Sequence, residues 1–219
     1  MRYKAVIFDL DGTLLDTILD LALSVNAVLQ RKGFREHPPE AYRYYIGDGI
    51  EMLVHRAFPD GSIDEENLPI LVNAVKEEYG RRWANHTKPY PGVPELLSYL
   101  EDRQIPKAVF SNKPDEHTQK TVNAFLFRWT FAAVYGVKMG MPRKPDPQGV
   151  LLIAQQMRLE PRYIVYVGDT DTDMHAAVAA GMFPVGALWG YRSATELRDA
   201  GAQLLAETPA VVANLFNDQ

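Results

Sequence analysis

The sequence predicts an α/β protein: a doubly wound parallel sheet carrying an all-helical domain inserted after its first strand. Three observations lead there. Short apolar runs recur along the chain, each followed by polar or glycine residues and then by a helix-like pattern. The runs are rich in β-branched and aromatic residues, which suits strands buried on both faces. From about Thr17 to His86 the alternation stops and only helical patterns remain. Strand–helix alternation argues for a parallel sheet flanked by helices, so the helical block reads as an insertion.

Taken in order, Ala5-Val6-Ile7-Phe8 is the first predicted strand and ends at Asp9. Helices follow over Ile18 to Lys32, Gly49 to Phe58 and Ile63 to Asn85. Gly33, Pro38-Pro39, Gly47-Asp48-Gly49 and Pro59-Asp60-Gly61 separate them, as glycine and proline break helices. Hinges near Leu15 to Thr17 and near Lys88 to Pro91 give a core domain of residues 1–16 and 88–219 and a helical domain of residues 17–87. In the core, helical patterns over Val93 to Arg103, His117 to Phe127, Gly149 to Met157 and Asp173 to Ala180 alternate with apolar runs. Those runs are Lys107 to Phe110, Phe131 to Tyr135, Tyr163 to Val167 and a last strand at Pro184 to Leu188.

With 219 residues the chain has room for such a core and a smaller insertion. A net charge of −5 gives no reason to expect nucleic acid or an anionic membrane as partner. Any bound phosphate must therefore be held by local positive groups. There is no cysteine, which excludes disulfides, thiolate metal sites and cysteine nucleophiles and fits a reducing, cytoplasmic setting. Met1-Arg2-Tyr3-Lys4 and the brief apolar run after it make no signal peptide, and no segment approaches a membrane span.

In an open parallel sheet, ligands bind at the carboxyl ends of the strands, where strand order reverses. The residues just past the apolar runs should share that crevice: Asp9 and Asp11, then Ser111 and Asn112, then Asp169, with Lys144 from the stretch after the third run. Three carboxylates together repel one another unless protons or a cation relieve them. Oxygen-only ligands favour a hard cation such as magnesium, Mg2+. Such an ion would draw in a phosphoryl group and set it before a carboxylate able to attack phosphorus. Asp11, leaving the strand end on the same side as Asp9, could protonate the leaving oxygen and then deprotonate water. Ser111 and Lys144 would hold phosphoryl oxygens.

Asp9-Leu10-Asp11-Gly12-Thr13, Ser111-Asn112-Lys113-Pro114, Lys144-Pro145 and Gly168-Asp169-Thr170-Asp171-Thr172-Asp173 resemble, in order, the four motifs of the haloacid dehalogenase superfamily. The resemblance implies a Rossmann-like core with a helical cap, with Asp9 as nucleophile and Asp11 as general acid and base. Thr13 would support the turn and, with Ser111, Asn112 and Lys144, belong to the phosphate-binding set. Magnesium would sit on Asp9, the backbone carbonyl of Asp11 and Asp169, with Asp173 orienting its waters or Lys144. The insertion, Asp16 and the Gly47-Asp48-Gly49 segment followed by Leu53 and Arg56 are similar to the phosphoglycolate phosphatase-like branch.

That branch implies a small phosphoester as partner, phosphoglycolate first, with Gly47, Gly49 and Arg56 facing substrate. A monomer or a homodimer is compatible with it. Arg43 or Lys113 could share the anion-binding role of Arg56. A dehalogenase would need neither magnesium nor Asp11, and a phosphonate hydrolase would need a cap lysine aimed at the site. A phosphosugar mutase or a pyrophosphatase would use the same core residues. A silent binding protein on this scaffold would be expected to have lost a core carboxylate, and none is lost.

Overall fold

All four residues of β1 (Ala5–Phe8) are buried, because both faces of this strand are covered. In the computed structural model, which describes residues 3–217, β1 lies inside a six-stranded parallel sheet of order β5-β4-β1-β6-β7-β8. Met1 and Arg2, part of the start that reads as lacking a leader, lie outside the described residues, as do Asp218 and Gln219. The other core strands are β4 (Lys107–Pro114), β5 (Ala133–Val137), β6 (Ile164–Gly168), β7 (Phe183–Ala187) and β8 (Leu204–Ala206). Two shorter strands, β2 (Leu15–Asp16) and β3 (Lys88–Pro89), form a separate pair.

Side chains alternate across the sheet as strand geometry requires. Val6, Phe8, Val109, Val165 and Val167 enter one apolar layer with residues of α5 (Val93–Asp102), α6 (Asp115–Phe125) and α10 (Pro209–Ala213). Ala5, Ile7, Ala108, Phe110, Ile164 and Tyr166 enter the opposite layer with α7 (Gln148–Gln156) and α8 (Asp171–Ala179). A third cluster joins Met174 to Leu197 and Ala200 beside α9 (Ala194–Asp199). Helices on both faces make the sheet doubly wound. The chain runs from β1 to β4 and β5 on one side, then returns to β6 on the other. Strand order therefore reverses at β1, and the crevice at its carboxyl end is where a ligand is accommodated.

The chain divides into two compact units, residues 1–15 with 89–219 and residues 16–88. The second holds α1 (Ile18–Arg31), α2 (Tyr42–Tyr45), α3 (Ile50–Ala57) and α4 (Leu68–Arg82). Leu21, Val25, Val28 and Leu29 of α1 and Leu71, Val72, Val75 and Tyr79 of α4 are buried at the spacing of an amphipathic helix face. Polar ties close the unit. Asn26 receives the Tyr42 hydroxyl at 2.6 Å and the His37 N–H at 3.0 Å, and donates to the His37 carbonyl at 2.8 Å. Glu78 draws Arg31, Arg81 and Arg82 onto one carboxylate.

Asp20 is fully buried and accepts from the N–H groups of His86 and Thr87 and from the Thr87 hydroxyl. Burial pushes its carboxyl up, but these bonds together outweigh burial and hold it below the usual carboxylate range. The pair of contacts fastens the start of α1 to the segment that leads back to β3.

Two departures from the expected elements have a plain physical reason or extend the sheet. α4 starts at Leu68 rather than Ile63, because Asp64 accepts from the N–H groups of Glu66 and Asn67 in a tight turn and Pro69 then sets the helix start. The sheet also continues past the run at Pro184 to Leu188, with β8 pairing in parallel along β7. Among the described residues no helix is long and apolar enough to cross a membrane.

Candidate active site

Asp9 follows β1 directly, and Lys144 reaches it from the loop before α7. The Lys144 ammonium is buried and donates to Asp9 Oδ1 and Asp173 Oδ1, each at 2.7 Å, and to the Phe110 carbonyl at 3.3 Å. Burial would pull this ammonium's pKa down, yet Asp173 and Asp9 more than reverse that and raise it. The Tyr166 hydroxyl gives Asp173 Oδ1 another donor at 2.9 Å. Asp173 Oδ2 accepts from the N–H groups of Asp169 and Thr170 and from the Thr170 hydroxyl. Part of that set is a capping box at the start of α8, so one carboxylate both caps the helix and anchors Lys144.

Asp169 follows β6. Its Oδ1 accepts from the Thr13 hydroxyl at 2.8 Å and its Oδ2 from the Tyr191 N–H at 2.8 Å. Trp189 donates to the Thr13 carbonyl at 2.9 Å and steadies that turn. Gly12 has φ of 91°, and a Cβ there would overlap the Asp169 carboxylate and the Tyr191 ring. Only glycine both adopts this conformation freely and leaves that space open.

On the other side of β1, the register between β4 and β5 shifts between Phe110 and Pro114, which releases Ser111 to Lys113 from the regular ladder. The Asn112 amide clamps the Lys144 backbone, accepting its N–H at 2.8 Å and donating to its carbonyl at 3.2 Å. The Lys144–Pro145 peptide is cis. Ser111 is buried and its hydroxyl accepts the Lys113 N–H at 3.2 Å. The Lys113 ammonium donates to both oxygens of Asp11, at 2.8 and 3.0 Å.

Asp9, Asp169 and Asp173 each bring a carboxylate oxygen within 4.8 Å of the others. Three buried carboxylates face one buried ammonium, and two of them, Asp9 and Asp169, are raised above the usual carboxylate range. Burial pushes Asp9 up to about 7, with Lys144 opposing and Asp173 adding to the rise. Burial, then Asp173 and Asp9, also raise Asp169 well above the carboxylate range. A divalent cation would supply the missing charge, and the donors are all oxygen, which suits a hard ion. Both Asp173 oxygens are already occupied by donors. Asp169 likewise accepts on both oxygens, from Thr13 and Tyr191, whereas among the described residues no donor bonds the second oxygen of Asp9, which leaves that oxygen open to such an ion.

The haloacid dehalogenase-like hydrolase family model matches residues 6–187, from β1 through β7. The chain belongs to the haloacid dehalogenase-like hydrolases. It is 33% identical over 218 residues to a phosphoglycolate phosphatase of Chromobacterium violaceum, covering 98% of this chain and 97% of that one. It is also 33% identical over 188 residues to a phosphoglycolate phosphatase of Aquifex aeolicus, covering 86% of each. The crystal structure of a predicted phosphoglycolate phosphatase from Haemophilus somnus 129pt superposes with a TM-score of 0.91 at 27% identity over 99% of both chains.

In this haloacid dehalogenase-like hydrolase the core residues singled out from sequence meet at the carboxyl ends of β1, β4 and β6. Their contacts add detail that sequence reasoning missed. The side chains of Asn112 and Thr13 are turned to Lys144 and Asp169, and so position other groups. Tyr166 reads as a core aromatic from its apolar strand, but its hydroxyl reaches Asp173. Gly47, Gly49 and Arg56 belong to the helical unit. Both glycines have positive φ, at 126° and 91°. Arg56 pairs with Asp48 at 2.5 Å and donates to the Tyr45 carbonyl, so its guanidinium braces that glycine loop. Nothing in the spacing of Arg56 announces this, since its partner lies eight residues back in a loop.

Proposed function

We propose that this hydrolase is a magnesium-dependent phosphatase that cleaves a small organic phosphomonoester through a phosphorylated Asp9, with phosphoglycolate the first substrate to test. The buried Asp9–Lys144–Asp173 bridge beside Asp169 and Asp11, at the sheet's switch point, carries this reading. The curated relatives named phosphoglycolate phosphatase support the substrate class. Asp9, the Asp11 backbone carbonyl and Asp169 would hold magnesium, which when bound neutralises phosphoryl charge and favours in-line approach.

In the first step an Asp9 oxygen attacks phosphorus. The bond from phosphorus to the leaving oxygen breaks, and that oxygen takes its electron pair and a proton from the Asp11 carboxyl. In the second step water attacks phosphorus and gives its proton to Asp11, the bond from phosphorus to Asp9 breaks, and inorganic phosphate leaves. Ser111 and Lys144 hold phosphoryl oxygens throughout. Asn112 and Thr13 act through Lys144 and Asp169. The helical unit serves as the cap, and Gly47, Gly49 and Arg56 shape its substrate-facing loop.

The test is phosphate release from a panel of phosphomonoesters, phosphoglycolate included, with and without magnesium. Magnesium-dependent release led by a small acidic phosphoester is expected. Absence of release from every ester would overturn the reading, and release of pyrophosphate-derived phosphate alone would replace it.

Metal binding also has a readout in stability. Asp9 titrates near 7 when folded and near 3.8 as an ordinary carboxyl. Between those values the folded form binds more protons than the unfolded chain, so the core loses stability as pH rises through that window. Magnesium on the ionised carboxylates offsets the loss. The gain in Tm on adding magnesium should therefore be larger at pH 8 than at pH 5.5. An equal gain at both would count against Asp9 and Asp169 as its ligands.

A further inference from the structure

Lys113 is a cation of this crevice that the two steps above leave without a role. We propose that Lys113 is a positioning residue for Asp11, aiming its carboxyl so that it can serve water attack on the phosphorylated Asp9. The inference rests on the proposed phosphatase reading and assigns one of its positioning groups.

The contact is made to both Asp11 oxygens, at 2.8 and 3.0 Å. A contact shared by both oxygens holds the carboxylate against swinging away about its Cα–Cβ bond and so fixes its direction. The pair is largely out of solvent, with side-chain exposures of 7% for Lys113 and 13% for Asp11. It is therefore unlike the exposed ion pairs that hold little geometry.

The backbone beneath Lys113 is fastened on several sides. Its N–H donates to Ser111 Oγ, and the Thr118 hydroxyl donates to its carbonyl at 3.3 Å. β5 approaches so closely that a Cβ on Gly136 would overlap the Lys113 carbonyl, and the Gly136 N–H is fixed in turn by Asp115 at 2.9 Å. A lysine needed only for solubility would not require that support.

Orientation matters most where proton transfer limits the rate, since a general base must lie within hydrogen-bond reach of the proton it takes. A substrate with a self-sufficient leaving group separates the two steps. p-Nitrophenyl phosphate expels p-nitrophenolate, which needs little help from a proton, so the first step tolerates a misaimed Asp11. The second step does not, because water must still lose its proton.

The experiment is rapid-mixing kinetics of Lys113→Met and Lys113→Arg with p-nitrophenyl phosphate and magnesium, beside steady-state assays on an alkyl phosphomonoester. Lys113→Met should show a burst of p-nitrophenolate near one per active site, followed by turnover about 10–100-fold slower than wild type. The alkyl ester should be slowed with no burst of alcohol, since both of its steps need Asp11. Lys113→Arg, which can still reach both oxygens, should recover much of the rate and lose the burst.

Unchanged turnover without a burst would overturn the proposal. A raised KM at unchanged kcat would also overturn it, making Lys113 a substrate ligand. If the methionine variant loses its circular dichroism spectrum, Lys113→Gln takes its place with the same expectations. If wild type itself releases no phosphate, the phosphatase reading has failed and this inference falls with it. That result differs from an active wild type paired with an unaffected variant.

Discussion

Asp9→Asn should release no measurable phosphate, a loss of about 10^4-fold or more, while remaining folded. The size follows from the role: removing a nucleophile abolishes the covalent route and leaves only the binding and electrostatic remainder. The fold should persist because asparagine matches the shape of aspartate and can still accept from Lys144 through its amide oxygen. The ionised Asp9 carboxylate is moreover a burden in this site, raised to about 7 chiefly by burial. Losing its charge should leave the metal-free protein at least as stable at pH 8. Phosphate release and thermal denaturation on the same preparation check both halves. Activity within tenfold of wild type would exclude Asp9 as the attacking group.

Lys144→Met should be the most destabilising substitution at the site. Its ammonium lies between Asp9 and Asp173 at 2.7 Å from each and is almost wholly buried. Removing one partner of a buried ion pair costs about 3–5 kcal/mol, because the remaining charge stays desolvated. For a chain of this size that corresponds to a fall in Tm of roughly 10 °C. The sign of the pH dependence follows from the carboxylates left behind. They can escape the penalty by taking up protons, so the deficit relative to wild type should shrink from pH 8 to pH 5. Lys144→Arg should restore little, since the flat guanidinium cannot place one donor on each carboxylate in the space of an ammonium. A deficit independent of pH would argue that lost packing, and not charge, is responsible.

The order of strands and helices was legible in the sequence because the buried strands are written in a strong signal. Ala5 to Phe8 is apolar at every position, and the structure bounds β1 at those residues. β8 escaped because it is three residues at the sheet edge, where half-buried Leu204 and Leu205 resemble any loop. The start of α4 is hidden in the sequence because the Asp64–Asn67 turn competes with helix by side-chain bonds that composition does not display.

At the candidate site, residue types at strand ends pointed to the crevice, but what each polar side chain touches was not readable. Asn112 bonds Lys144 across 32 residues, and Thr13 bonds Asp169 across 156. Such partners are set by which strands become neighbours. Lys113 illustrates the limit: its charge was evident, but its grip on Asp11 depends on the register shift at the end of β4.

The placement of β1 also bears on how the chain is made. Val6 pairs with Lys107 on one side and with Val165 on the other. The strand that leads into Asp9 is thus synthesised first and completed last. At ordinary translation rates it waits roughly ten to thirty seconds for β6 to arrive. During that interval an apolar tetrapeptide with two open edges is exposed to whatever else is nascent nearby. The residues of α1 to α4 find their partners within one another over much shorter sequence separations. A ribosome-bound fragment ending before β6 should accordingly hold an ordered helical unit and an unassembled catalytic crevice, and should depend on chaperones in proportion to how long that state lasts.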